Sequence, residues 1–224
     1  MKFGGAIRYL LDRFVYHRYM PLRRRRRNPP KQNFAFIDSQ NLTQTVQRLG
    51  WKMDWRKFRQ YLKDTYGVTR AYMFIGYVPE FEAMYEQLHD MGYLIVLKPT
   101  YDMTRPREED LPESQKPDSK SDKDAEDKKP TKGNIDADLV LWAMKELPNY
   151  DKAVIVSGDG DFYGLVEYLS EKRKLLKLLA PSVQFSNLYN THIEYVERLD
   201  TKRSLLQYHD RRKKSKNKPA PNKR

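Results

Sequence analysis

The decapeptide A-V-I-V-S-G-D-G-D-F, Ala153 to Phe162, joins a run of β-branched residues to small residues and two carboxylates. Its apolar part, Ala153 to Val156, is too short for a helix and is closed by Ser157 and Gly158, which reads as a buried strand followed by a loop. Such a strand belongs in a parallel sheet covered on both faces, where ligands collect beyond the carboxyl ends of the strands. Asp159 and Asp161 stand at that rim. The same residues also suit an ordinary polar turn in which Asp161 caps the following helix.

The pattern recurs nearer the start of the chain. Phe34 to Ile37 is a short apolar run ending in Asp38, and Ser39 is placed to cap a helix carrying Leu42, Val46 and Leu49 and ending at Gly50. Asp54 caps a second helix to about Tyr66, and Val68 to Tyr77 is strand-like. Pro79 opens a helix from Phe81 to Met91 that Gly92 terminates, and Tyr93 to Leu97 is a third strand. Further on, Leu139, Trp142, Ala143 and Leu147 make a helical face. Asp136 and Asp138 lie in its first turn, where the helix dipole favours acids, about 200° apart around the axis. The decapeptide is followed by a helix from about Phe162 to Glu171 and a strand from Leu175 to Leu179. This alternation of strands and helices predicts an α/β fold with a doubly wound parallel sheet.

Charge divides the chain differently. Of the net +13, the first 32 residues carry ten Lys/Arg against Asp12, and residues 202–224 carry ten against Asp210, which leaves 33–201 mildly acidic. That is the pattern of a globular body with electrostatic arms. In the N-terminal arm, Ile7, Leu10, Leu11, Phe14 and Val15 form the apolar stripe of an amphipathic basic helix, and Arg23, Arg24, Arg25, Arg26 and Arg27 follow Pro21. Such an arm suits an anionic membrane surface, a protein partner or nucleic acid. The domain is expected over 33–200 and a basic C-terminal tail over 201–224, which holds Arg211, Arg212, Lys213 and Lys214 and is expected to be unfolded from His209 onward. Residues 102–131 mix ten acids with Lys, Ser and Pro and almost nothing apolar, so a disordered charged insertion is expected. With no cysteine and no signal-like or membrane-spanning apolar run, a reducing, cytoplasmic setting is expected.

Three separate segments thus bring aspartates to one rim: Asp38, Asp136 or Asp138, and Asp159 with Asp161. Carboxylates crowded into a crevice repel one another, and they either hold protons or take a hard cation, for which all-oxygen ligation suits Mg²⁺ or Mn²⁺. A metal in an acidic pocket flanked by basic arms is the charge arrangement of a metal-dependent nuclease.

The segments F-A-F-I-D-S-Q-N (34–41), K-G-N-I-D-A-D-L-V-L (132–141) and I-V-S-G-D-G-D-F (155–162), in that order, resemble the signature of the NYN domain, a branch of the PIN-like nuclease superfamily. The resemblance extends over about 33–199. It implies a Rossmann-like, PIN-type three-layer sandwich with a mostly parallel sheet of order 3-2-1-4-5, and a metal-dependent ribonuclease, expected to be endonucleolytic. It also implies that Asp38, Asp136, Asp159 and Asp161 bind the ion. Asn41 matches the asparagine of the D-x-x-N element; Asn41 and Ser157 would orient the ligands, Asp138 would stand beside them, and Lys132 would meet a substrate phosphate. The chain departs from the pattern at Trp142, where an acid often stands in relatives, and only Glu80 and Glu82 offer acids near the second strand.

Two other readings stand beside the nuclease: a non-catalytic RNA-binding or regulatory module with the same fold, and an adaptor working through the N-terminal helix. Oligomeric state leaves no mark in the sequence. Tyr72, Tyr77, Tyr101, Tyr163 and Tyr189 fall in or near loops and strand ends, where rings either pack the core or stack on bases.

Overall fold

The apolar run that ends at Val156 lies beside the one that ends at Asp38, in the middle of a parallel sheet. The computed structural model describes residues 32–99 and 135–209. Both arms as far as the arginine and lysine clusters, the 102–131 insertion, Tyr101 and Lys132 lie outside the described residues.

In chain order the elements are β1 (Asn33–Asp38), α1 (Ser39–Arg48), α2 (Trp55–Tyr66), β2 (Val68–Tyr77), α3 (Glu82–Asp90), β3 (Tyr93–Pro99), α4 (Ile135–Lys145), β4 (Lys152–Val156), α5 (Tyr163–Glu171), β5 (Leu175–Ala180), β6 (Val196–Arg198) and α6 (Arg203–Leu206). The strands form one sheet in the order β3-β2-β1-β4-β5-β6, and every pairing is parallel. The sheet therefore has one strand more than the sequence predicts. Val196–Arg198 is too short and too polar to read as a strand, and it forms by pairing with Leu178 to Ala180.

Alternation along the strands builds two cores. Ala35 and Ile37 of β1 join Val154 and Val156 of β4 under α1, α2 and α3, whereas Phe34 and Phe36 join Ala153 and Ile155 under α4 and α5. All of these strand residues are fully buried. The helices change face between β3 and β4 because α4 carries the chain back over β1 and β2. The turning point lies between β1 and β4, where open sheets of this kind place their ligand crevice.

Local signals account for most boundaries. The Asp54 side chain accepts the amides of Arg56 and Lys57 at 3.1 Å and starts α2, and Gly67 at φ 63° ends it in the left-handed conformation that costs glycine little. Among the described residues no helix is long and apolar enough to cross a membrane.

The packed chain runs past residue 200, where the sequence reading ends the domain. Leu206 is fully buried, its carbonyl accepts the Asp54 amide at 2.8 Å, and Gln207 bridges Met53 while the Tyr208 amide donates to Lys52 at 2.9 Å. One buried leucine in a polar stretch gives no periodic signal, so this closing segment is not legible from sequence. Leu206→Ala is expected to cost about 2–5 kcal/mol in urea denaturation, and the exposed neighbour Leu205→Ala almost nothing. Equal midpoints for the two variants would contradict this packing.

Candidate active site

Asp38 is the last residue of β1 and the cap of α1. Its extended backbone (φ −75°, ψ 94°) turns the side chain back over the helix start, and Oδ1 accepts the Asn41 amide at 3.0 Å. Ser39, expected to be the cap, begins the helix instead and donates its hydroxyl to the Phe74 carbonyl of β2 at 2.6 Å. The short polar side chain nearest the free amides takes the cap, and the serine ties the ends of β1 and β2.

The second oxygen of Asp38 reaches across the crevice, where Oδ2 accepts the Ser157 hydroxyl at 3.1 Å. Ser157 Oγ in turn accepts the Asp159 amide at 3.1 Å, and Asn41 Oδ1 accepts the Gly158 amide at 3.0 Å. Ser157 is fully buried. The carboxyl ends of β1 and β4 are therefore laced by the side chains of Asn41 and Ser157.

The acid loop is held from its other side too. Asp159 Oδ1 accepts the Asp161 amide at 3.1 Å, which folds Gly160–Phe162 into a single 3-10 turn. Asp159, not Asp161, does the capping here, and α5 starts without a side-chain cap. The Gly158 carbonyl accepts the Ser186 amide at 3.0 Å, and the Tyr189 hydroxyl donates to the Asp159 carbonyl. A Cβ at Gly160 would stand 2.6 Å from Ser186 Oγ, so glycine is what allows this approach. Ser186 and Tyr189 lie about thirty residues from the loop they brace; the sequence offers Tyr189 only as one of several rings near loops, and nothing local marks Ser186.

Asp38 is only 4% exposed, and its pKa is raised. Burial is the largest cause; the bonds from Asn41 and Ser157 oppose it, and the charges of Asp136 and Asp159 add to it. Asp136 and Asp159 thus share the electrostatic surroundings of Asp38. The two aspartates of α4 part company, as their angular separation requires: Asp138 forms an ion pair with Lys98 of β3 at 3.0 Å. Asp161 is exposed at the rim. Burial, then Asp159 and Asp161, push the Tyr189 hydroxyl far above its ordinary range, which keeps it a donor.

Among the described residues no three acids or histidines stand close enough together to hold a metal ion. What Asp38, Asp136 and Asp159 share is therefore electrostatic proximity, whereas the sequence reading expects them within one ion's reach. Carboxylate oxygens are nonetheless donors of the type that suits a hard cation. Mg²⁺ is commonly held through one or two carboxylates with waters completing its shell, and each Asp38 oxygen keeps a lone pair beyond its single hydrogen bond. Glu80 and Glu82 belong elsewhere: Glu82 accepts the Tyr77 hydroxyl at 2.8 Å, and both acids act on Tyr77 and Tyr85. Trp142 packs on Tyr72 beneath Lys145.

A parallel sheet of this order, with carboxylates at its switch point, fits the PIN-like class of nuclease-type folds. Over residues 34–196 the sequence matches the NYN domain, and the chain belongs to that nuclease-related family. Its structure is similar to the crystal structure of a protein of unknown function from Vibrio parahaemolyticus RIMD 2210633, with a TM-score of 0.55 and 20% identity, over 82% of this chain and 100% of that one. At that identity the likeness concerns the fold. No curated protein matches the chain.

A carboxyl group whose pKa is higher folded than unfolded costs stability once it ionises. The cost is absent below the ordinary value of 3.8, grows as pH rises towards the raised folded value, and is complete above it. Asp38→Asn, which keeps the size of the side chain without the charge, is expected to melt at higher temperature than the wild type at neutral pH. Thermal melts in EDTA should show that advantage shrinking as pH falls through the same window. A lower melting temperature for Asp38→Asn at neutral pH would contradict the electrostatic account.

Proposed function

We propose that the protein is a metal-dependent ribonuclease that hydrolyses RNA phosphodiester bonds at the β1–β4 crevice. The observation that supports this reading most is Asp38, a carboxyl group kept out of water at the switch point with two further acids adding to its charge burden. A protein tolerates that arrangement where function repays it.

One or two of Asp38, Asp136, Asp159 and Asp161, with waters completing the shell, would hold Mg²⁺ or Mn²⁺, which when bound supplies the acidity that makes water a nucleophile and the charge that offsets a reacting phosphodiester. The remaining work falls to the chain itself. Ser157 and Asn41 fix the direction of the Asp38 carboxylate and the height of the Gly158 amide. The Asp161 amide fixes Asp159, and Tyr189 and Ser186 keep the acid loop from retreating. Lys132 and the basic arms, Arg23–Arg27 and Arg211–Lys214, would attract the phosphate backbone without reading bases. RNA is the proposed partner and the cytoplasm the proposed compartment.

A second reading, an RNA-binding module that does not cut, is favoured by one observation: both Asp38 oxygens are already engaged, and no three acids are gathered. Cleavage of end-labelled single-stranded RNA with Mn²⁺ separates the two. The nuclease reading expects internal cuts by the wild type, none in EDTA and none by Asp38→Asn. Ser157→Ala, which removes a partner of the ligand and not the ligand itself, is expected to lose about 10–100-fold in rate. An uncut trace for the wild type with Mn²⁺, the same as that of Asp38→Asn, would leave the binding module as the function.

A further inference from the structure

The segment after β5 does more than brace the acid loop. Residues Asn187–Tyr195 wind as irregular 3-10 turns with His192 breaking the helical path, and they leave Leu188 and Ile193 more than half exposed. Leu188 reaches the loop itself, with its Cδ1 standing 3.4 Å from where a Cβ on Gly160 would be. Beside it, the half-exposed ring of Tyr163 meets the edge of His192 at 5.8 Å and the buried Tyr189 at 6.4 Å.

Of the tyrosines near strand ends, Tyr72 and Tyr189 are buried in the core, whereas Tyr77 and Tyr163 are half-buried, and of these two it is Tyr163 that follows the acid loop. Two bonds hold these rings still: the Tyr163 hydroxyl donates to Glu167 at 2.8 Å one turn along α5, and Thr191 Oγ1 pairs with His192 Nδ1 at 2.9 Å. The Tyr163 ring packs in part against the second core, and a ring ordered in this way offers its remaining apolar area at small entropic cost. It stands two residues from Asp161, whose exposed carboxylate repels phosphate but not a neutral base.

We infer that the Tyr163 ring, with His192 set across it and Leu188 nearby, forms a stacking platform for one nucleobase of a single-stranded RNA whose backbone enters the crevice. The inference rests on RNA being the substrate proposed above. It adds the residues that seat a base beside the acid loop.

The test is a binding measurement, so it does not depend on cleavage. Full-length protein in EDTA is titrated into a labelled oligouridylate and into the same strand with one abasic site at each position in turn. Tyr163→Ala is expected to weaken binding to the intact strand about tenfold, the order that one stacked base contributes, and Tyr163→Phe to keep the wild-type affinity. His192→Ala should show a smaller loss in the same sense. For one abasic position, wild type and Tyr163→Ala should bind alike. Melting curves for each variant separate a lost platform from a lost fold, since Tyr163→Phe keeps the ring in either case. Equal affinity of Tyr163→Ala and wild type for the intact strand, or an equal loss on every abasic strand, would overturn the inference. A tenfold loss in a protein that never cuts would keep the platform and refute the nuclease.

Discussion

The bond from Ser157 to Asp38 joins two strands that are 119 residues apart in sequence, and the architecture of the crevice depends on it. Parallel strands share a hydrogen-bond ladder only as far as their ends, so β1 and β4 would splay beyond Ile37 and Val156, the last of their paired residues. Asp38, Ser157, Asn41 and Gly158 continue the connection with side chains. The same groups that hold the strand ends together also aim the acids, which makes the site and the fold one structure at this point.

That arrangement sets stability against function. Burying a carboxylate beside two others costs free energy, and the bonds from Asn41 and Ser157 recover only part of it, since the Asp38 pKa remains raised. The surrounding core is arranged to bear the cost. Phe34, Phe36, Ile37, Val154, Ile155 and Val156 are fully buried on the two strands that carry the acids, and each face of the sheet has its own apolar layer. A cation in the crevice would reverse the sign of the local electrostatics, and removing the carboxylate charge would have a similar effect on stability.

Much of this could be read from single stretches. Runs of apolar residues closed by Asp38 or by Ser157 and Gly158 mark the two central strands, and the order of elements follows from helices and strands alternating, because these signals are local. The same holds for the division between Asp136 and Asp138, which angular spacing along one helix turn implies. What stayed hidden depends on contacts distant in sequence. The strand Val196–Arg198 and the closing leucine, Leu206, are stabilised by partners rather than by their own pattern. The choice of Asp38 over Ser39 as a cap follows from backbone angles at the strand end, and Tyr189 and Ser186 become part of the site only when the chain returns to it.

The central claim is that Asp38 holds its carboxyl group above the ordinary range because it is desolvated among other acids, in a crevice chemically suited to a hard cation. Carbon-13 NMR of the Asp38 carboxyl resonance, assigned by comparison with Asp38→Asn and titrated against pH with and without Mg²⁺, tests this directly. The account predicts a midpoint above 3.8 in EDTA that falls when Mg²⁺ is added. A midpoint at or below that value, or one that Mg²⁺ does not move, would contradict it.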